Sequence, residues 1–206
     1  VLFTCRPESE GGRWPDADTA GRLALLRQAV DIGFDLVDVE ARAGFDEVVA
    51  AKAGRGLVLS WHDFEGTPED LDGVYEGMAV HRPDVVKIAV AARSVADLGR
   101  LLAFASRRAG APGPRLVALA MGPLGVASRI LGGRYGAPFT FASPENGHEA
   151  APGQLPAAAL ADIYRVRSIG PATRVYGLLG SDVLRSLSPA IQNRAFAATG
   201  SDAVYV

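Results

Sequence analysis

Only two of the 21 basic residues are lysines, Lys52 and Lys87, so the chain offers few amine nucleophiles. Lys87 stands inside the apolar run Val85-Val86-Lys87-Ile88-Ala89-Val90. A lysine buried in a strand is costly unless it is neutral or paired. Desolvation would lower its pKa and leave a neutral amine suited to Schiff-base formation with a ketone. The alternative is a lysine that snorkels to the sheet rim or pairs with a carboxylate. Lys52, beside Arg55 at a helix end, reads as a solvated surface charge. His62 closes the strand-like run Leu57-Val58-Leu59-Ser60-Trp61. A lone histidine is usually structural, yet this one stands at a strand end shortly before the lysine strand and can exchange protons near neutral pH. His81, before Arg82-Pro83, and His148, in a Gly-rich loop, read as surface residues. No His, Cys and carboxylate spacing resembles a metal site.

The elements that must hold these residues alternate along the chain. Strand-like runs cover 1–5, 34–40, 57–61, 85–90, 116–120 and 139–142, and they are continuously apolar, as buried parallel strands are. Helical periodicity covers 20–32 (Leu23, Leu26, Val30), 68–80 and 94–108 (Val95, Leu98, Leu101, Leu102). Thr67-Pro68-Glu69-Asp70 reads as a capped helix start, and Ser94 as a second cap. The fold class is α/β. Either a doubly wound sheet or a (β/α)₈ TIM-type barrel suits this order. No Gly-x-Gly-x-x-Gly follows a strand, which weighs against the dinucleotide-binding option. Six β/α units would leave a barrel incomplete by two, and the missing two would precede Val1. The absence of an initiator Met and the start directly in a strand-like run suit a truncated chain.

Reading the C-terminal strand ends in turn gives Arg6 with Glu10, Asp38 with Glu40, His62 with Asp63, Lys87, and then Arg129. After a last helix over 155–166, the stretch 167–173 contains Gly-Pro and no apolar period, so it reads as a linker. A strand over 174–179, a Gly-Ser-Asp turn at 180–182, a helix over 189–198 and a strand from 203 follow.

Composition excludes several classes. The chain is 49% hydrophobic with net charge −2 and no clustered basic face, which argues against a nucleic-acid partner. No apolar stretch approaches the roughly 20 residues of a membrane span. The single cysteine, Cys5, cannot form an internal disulfide, so a reducing compartment is expected: cytoplasmic, or plastid for a plant-type source. The sequence leaves oligomeric state open, a homo-oligomer included.

Taken in register, the motifs Phe3-Thr4-Cys5-Arg6 with Glu10-Gly11-Gly12, Asp38-Val39-Glu40, Ser60-Trp61-His62-Asp63-Phe64 with Thr67-Pro68, and Val86-Lys87-Ile88-Ala89 resemble type I 3-dehydroquinate dehydratases. So do Met121-Gly122 with Gly125, Ser128 and Arg129, then Phe139-Thr140-Phe141 and Ala151-Pro152-Gly153-Gln154. The resemblance implies a small-molecule substrate, 3-dehydroquinate, and no cofactor. It implies that Lys87 forms the imine, that His62 transfers the proton and that Glu10 orients His62. It gives substrate contacts to Arg6, Arg129 and Gln154, with Asp38 and Glu40 as site support. The chemistry is consistent: an iminium is a better electron sink than a ketone, and a carboxylate-bearing substrate calls for Arg. Two departures stand out. Ala150 occupies a position that is serine in the family, and the family's Glu-x-Arg pair, carried by the two missing units, is lacking.

The tail resembles the start of shikimate dehydrogenases, on Val175-Tyr176-Gly177-Leu178-Leu179-Gly180 and Ser186-Leu187-Ser188-Pro189-Ala190-Ile191-Gln192-Asn193. That resemblance implies that Ser186 and Ser188 bind a substrate carboxylate. Taken alone, both serines would read as helix caps. Arg185 replaces the family's usual histidine, and NADP would be needed only by dehydrogenase portions beyond Val206. The expected organisation is therefore a dehydratase barrel over 1–168, a linker over 169–173 and the opening β-α-β of a dehydrogenase substrate domain over 174–206. The competing readings are an inactive fragment and a Schiff-base aldolase-like barrel.

Overall fold

The computed structural model describes residues 1–145, 147–180 and 183–206. Strands β1 (Leu2–Thr4), β2 (Leu36–Glu40), β3 (Leu57–Asp63), β4 (Val85–Ala91) and β5 (Arg115–Met121) form one parallel sheet in the order β1-β2-β3-β4-β5. Each strand pairs with its neighbour in sequence and the order never reverses. That is the winding of a β/α barrel, not of a doubly wound sheet, which reverses at a switch point.

The crossovers are α1 (Thr19–Ile32), α2 (Asp46–Lys52), α3 (Leu71–Ala79) and α4 (Val95–Arg108). They cover one face of the sheet. Strand alternation sends Leu59, Val86, Ile88, Val90, Leu116 and Ala120 to that face, where they pack with Tyr75, Met78, Leu101 and Phe104. Full burial of a side chain such as Phe104 contributes about 1.5–3 kcal/mol. The opposite face takes the alternate residues. Near the strand starts it is apolar, with Leu2, Leu36, Val58, Val85 and Val117. Towards the strand ends it carries Asp38, Glu40, Ser60, His62 and Lys87, all buried.

Helix starts follow local chemistry. Ser94 and Asp97 form a reciprocal capping box on α4, the cap read from sequence. At α3 the cap is Asp70, which accepts from Gly73 N at 2.7 Å, so the helix begins later than Thr67 predicts. The Thr67 hydroxyl instead donates to Ala91 O at 3.0 Å and ties the loop to the end of β4. Lys52 also departs from the surface role expected of it. It is 8% exposed, and its Nζ donates to Phe34 O at 2.8 Å, satisfying a carbonyl just before β2.

The sixth strand expected at 139–142 is not a strand. Phe139 and Phe141 lie over the apolar half of the inner face, against Val58, Ala89 and Leu119, their rings edge to face at 5.6 Å. Burying two rings on the sheet competes with extending its edge, and here it wins. The adjoining Ser143 makes only an isolated bridge to Pro156. The helix expected over 155–166 shortens to a π-helical stretch, Ala159–Ile163, capped by Tyr164, after which Arg165 turns into the left-handed region at φ 51°.

A short helix α5 (Val126–Ile130) follows β5, and the tail forms β6 (Arg174–Tyr176), α6 (Ser188–Ala198) and β7 (Ala203–Tyr205), with β6 and β7 parallel. The turn read at 180–182 falls largely on residues outside those described. The 169–173 segment is pinned. Ile169 packs with Ile130, Leu131, Leu160 and Val204, and the Arg134 guanidinium donates to the carbonyls of Pro171 and Thr173. No helix among the described residues is long and apolar enough to cross a membrane.

Candidate active site

Register alone brings the chemistry together. Ser60 lies opposite Lys87, and Lys87 opposite Val117, so the amine sits in mid-sheet with β2 and β3 on one side and β5 on the other. A cavity of about 560 Å³ opens above it, lined among others by Arg6, Glu10, His62, Lys87, Arg129 and Gln154. That volume suits a small organic ligand. Ser186 and Ser188 lie elsewhere, at the start of α6, where Ser186 Oγ accepts from Ser188 N at 3.1 Å. Leu187 holds the N-cap position there and makes no side-chain cap hydrogen bond.

Lys87 is 6% exposed. Its Nζ lies 3.2 Å from His62 Nε2 and 3.4 Å from Asp38 Oδ2, and 4.8 Å above the Phe141 ring. Burial lowers the Lys87 pKa; Asp38 pulls it back up, and the charges of Arg6 and Arg129 lower it further. His62 Nδ1 lies 2.8 Å from Glu10 Oε2. A proton on Nδ1 donated to that carboxylate leaves the Nε2 lone pair facing the amine. Desolvation lowers the His62 pKa; Glu10 raises it, and Lys87 and Arg6 add to the lowering. Burial pushes Asp38 up, yet Lys87, Arg6 and the Ser60 hydroxyl together hold it below the ordinary carboxylate range.

Arg6 is more committed than a substrate clamp would be. Its NH1 donates to Glu40 Oε1 at 2.7 Å and to Ser60 Oγ at 2.8 Å, and its NH2 donates to Asp38 Oδ2 at 2.5 Å. Arg129 is freer. It is 2% exposed, its NH2 donates to Pro152 O at 3.2 Å, and its Nε has no partner among the described residues. Such an orphaned donor beside a cavity suits an incoming anion. Gln154 Oε1 accepts from Ala150 N at 2.9 Å, leaving its amide NH₂ available. Asp63 serves the turn instead, its Oδ1 accepting from Glu65 N and Gly66 N at 2.8 and 3.1 Å.

Sequence reasoning gave no site role to Ser60 or Phe141, though both stand in the quoted motifs, and did not single out Arg22. Phe141 sat in a run read as a strand, and Ser60 was a small residue in an apolar one. His148 is exposed, as read, yet it stands on the cavity rim beside Ala150.

Two glycines let the loops close on the site. A Cβ on Gly12 would lie 1.9 Å from Arg6 O, and one on Gly153, already at φ +78°, would lie 2.3 Å from Gly122 O. Gly12→Ala should therefore displace the loop that carries both Arg6 and Glu10. We expect a loss of roughly 1–3 kcal/mol in stability together with reduced turnover. Chemical denaturation and a rate assay on the same preparation check it; a variant as stable and as active as the wild type would show that the loop gives way freely.

A profile of the type I 3-dehydroquinase family matches residues 1–171. The chloroplastic bifunctional 3-dehydroquinate dehydratase/shikimate dehydrogenase of Arabidopsis thaliana is 37% identical over 212 residues, covering 100% of this chain and 34% of its own length. The 3-dehydroquinate dehydratase of Thermococcus gammatolerans is 41% identical over 162 residues, covering 75% of this chain and 71% of its own. Among solved structures, the dehydroquinate dehydratase and shikimate dehydrogenase from S. pombe AroM aligns at TM-score 0.66 and 28% identity, over 99% of this chain and 39% of that one. A type I 3-dehydroquinate dehydratase from Clostridium difficile, solved with covalent modified comenic acid, aligns at 0.68 and 28%, over 81% and 67%. The chain thus spans about a third of the Arabidopsis relative and most of the Thermococcus one.

Proposed function

The chain belongs to the type I 3-dehydroquinase family, and from that premise we propose that its cavity dehydrates 3-dehydroquinate to 3-dehydroshikimate through an imine on Lys87. Type I enzymes use a Schiff base and no cofactor. The observation that carries the reading is the row Glu10–His62–Lys87, its imidazole and amine buried, with contacts of 2.8 and 3.2 Å.

In this mechanism the neutral Lys87 amine attacks the ketone carbon, and the carbonyl oxygen leaves as water, taking one proton from the amine and one from solvent, to give an iminium. His62 Nε2 removes a proton from the carbon α to the iminium, and the electron pair forms an enamine. The enamine then expels the β-hydroxyl group, which takes its proton from the His62 imidazolium and leaves as water. Hydrolysis of the conjugated iminium returns the amine and releases the enone. Glu10 holds His62 in the tautomer that accepts at Nε2 and stabilises the imidazolium that forms. Arg129, with its free Nε, is the best-placed group for the substrate carboxylate, and Gln154 and the spare Arg6 donors serve hydroxyls.

Ultraviolet absorbance of the conjugated enone reports the reaction directly, and turnover should survive chelators. The pH profile follows from the signs of the shifts. His62 must be neutral, and its pKa lies below the ordinary 6.5; Lys87 must be neutral, and its pKa lies below the ordinary 10.5. Activity should therefore rise with pH and level off below 10.5. A rate still climbing there would make Lys87 an ordinary solvated lysine.

A second reading concerns the tail. The Arabidopsis relative aligns across the whole chain, residues 174–206 included. We propose that 1–168 is the dehydratase unit, 169–173 the junction, and 174–206 the opening of a shikimate dehydrogenase substrate domain. There Ser186 and Ser188 would meet the substrate carboxylate, and NADP belongs to that reaction alone.

A further inference from the structure

The buried charges around Lys87 form a row that begins outside the cavity. Arg22, on α1, is 6% exposed, and its Nε donates to Cys5 O at 2.8 Å. Its terminal nitrogen pairs with Glu40 Oε2. The other Glu40 oxygen receives Arg6, and Arg6 in turn reaches Asp38 Oδ2, the same oxygen that Lys87 approaches at 3.4 Å. Two buried carboxylates are thus matched by two guanidiniums, and the amine is the odd cation. The other groups facing Lys87 are His62 from β3, with Glu10 behind it, Arg129 from α5 and the Phe141 ring; β5 offers Val117, Leu119 and Met121, and its one charge, Arg115, is exposed at the strand start.

Resting on the dehydratase reading, we propose that Arg22 is a positioning residue: by neutralising Glu40 it leaves Arg6 to share Asp38 with Lys87, and so weakens the counter-ion that would otherwise keep the amine charged. Arg22 does not line the 560 Å³ cavity, so it acts on Lys87 through the buried charges between them, Glu40 and Arg6 first. Without it, one guanidinium must serve two carboxylates, and Asp38 becomes the partner of an ammonium. An ammonium has no lone pair for the ketone.

Borohydride capture of Lys87 in the presence of 3-dehydroquinate, followed across pH in the whole protein, reads this directly. Arg22→Gln should move the midpoint of capture to higher pH by about one unit or more. Arg22→Lys, which keeps the charge, should stay near the wild type. Glu40→Gln should move the midpoint the other way, because a guanidinium is then in excess. The double variant Arg22→Gln/Glu40→Gln should return to the wild-type midpoint, a reversal that simple loss of packing would not produce. If Arg22→Gln alone does not fold, the opposite shift in Glu40→Gln and its reversal in the double variant decide. Unmoved midpoints in the variants would overturn the role of Arg22 while leaving the dehydratase reading intact. No capture at Lys87 in the wild-type protein would instead remove that reading.

Discussion

Lys87→Met should reduce turnover of 3-dehydroquinate by roughly 10⁴-fold or more, because no second amine is within reach of the cavity to replace it. The other lysine, Lys52, is engaged with Phe34 O at the opposite end of the strands. Methionine preserves most of the side-chain volume between β3 and β5 and leaves Asp38 paired with Arg6, so the fold should persist. The measurement is a steady-state rate beside a thermal unfolding curve. A folded variant that keeps even a tenth of the wild-type rate would move the nucleophile elsewhere.

His62→Ala should lower kcat by about 10²–10⁴-fold, the range for loss of a positioned acid–base group. The imine is formed by the amine, not by the imidazole, so substrate should still be captured on Lys87 by borohydride. That split separates a proton-transfer role from a packing role. A variant with unchanged turnover between about pH 6 and 9 would make His62 structural, consistent with the ordinary fate of a lone histidine.

Much of this site could be read from residue order because strand periodicity is simple. Val58, Ser60 and His62 alternate with Leu59 and Trp61, and Val85, Lys87 and Ala89 alternate with Val86 and Ile88, so the polar residues had to share a face. What the pattern could not say was how two apolar phenylalanines at 139 and 141 would be used. An apolar run of that length suits a strand or a segment laid over one, and the choice is made by what the sheet leaves uncovered. Arg22 was hidden for a related reason. A single arginine beside Leu23 on an amphipathic helix reads as a solvated charge, and only the packing of α1 against the end of β1 reveals that it is buried on Glu40. Lys52 was misread in the same way, since its partner is a backbone carbonyl 18 residues away that no side-chain pattern announces.

The most direct test of a Schiff base on Lys87 is reduction by borohydride in the presence of 3-dehydroquinate, followed by peptide mass spectrometry. The account predicts one substrate-dependent adduct, on the peptide bearing Lys87, with the mass of the condensed ligand less water plus two hydrogens, and inactivation in step with labelling. An adduct on Lys52, or full dehydratase activity in protein that borohydride and substrate leave unmodified, would contradict it.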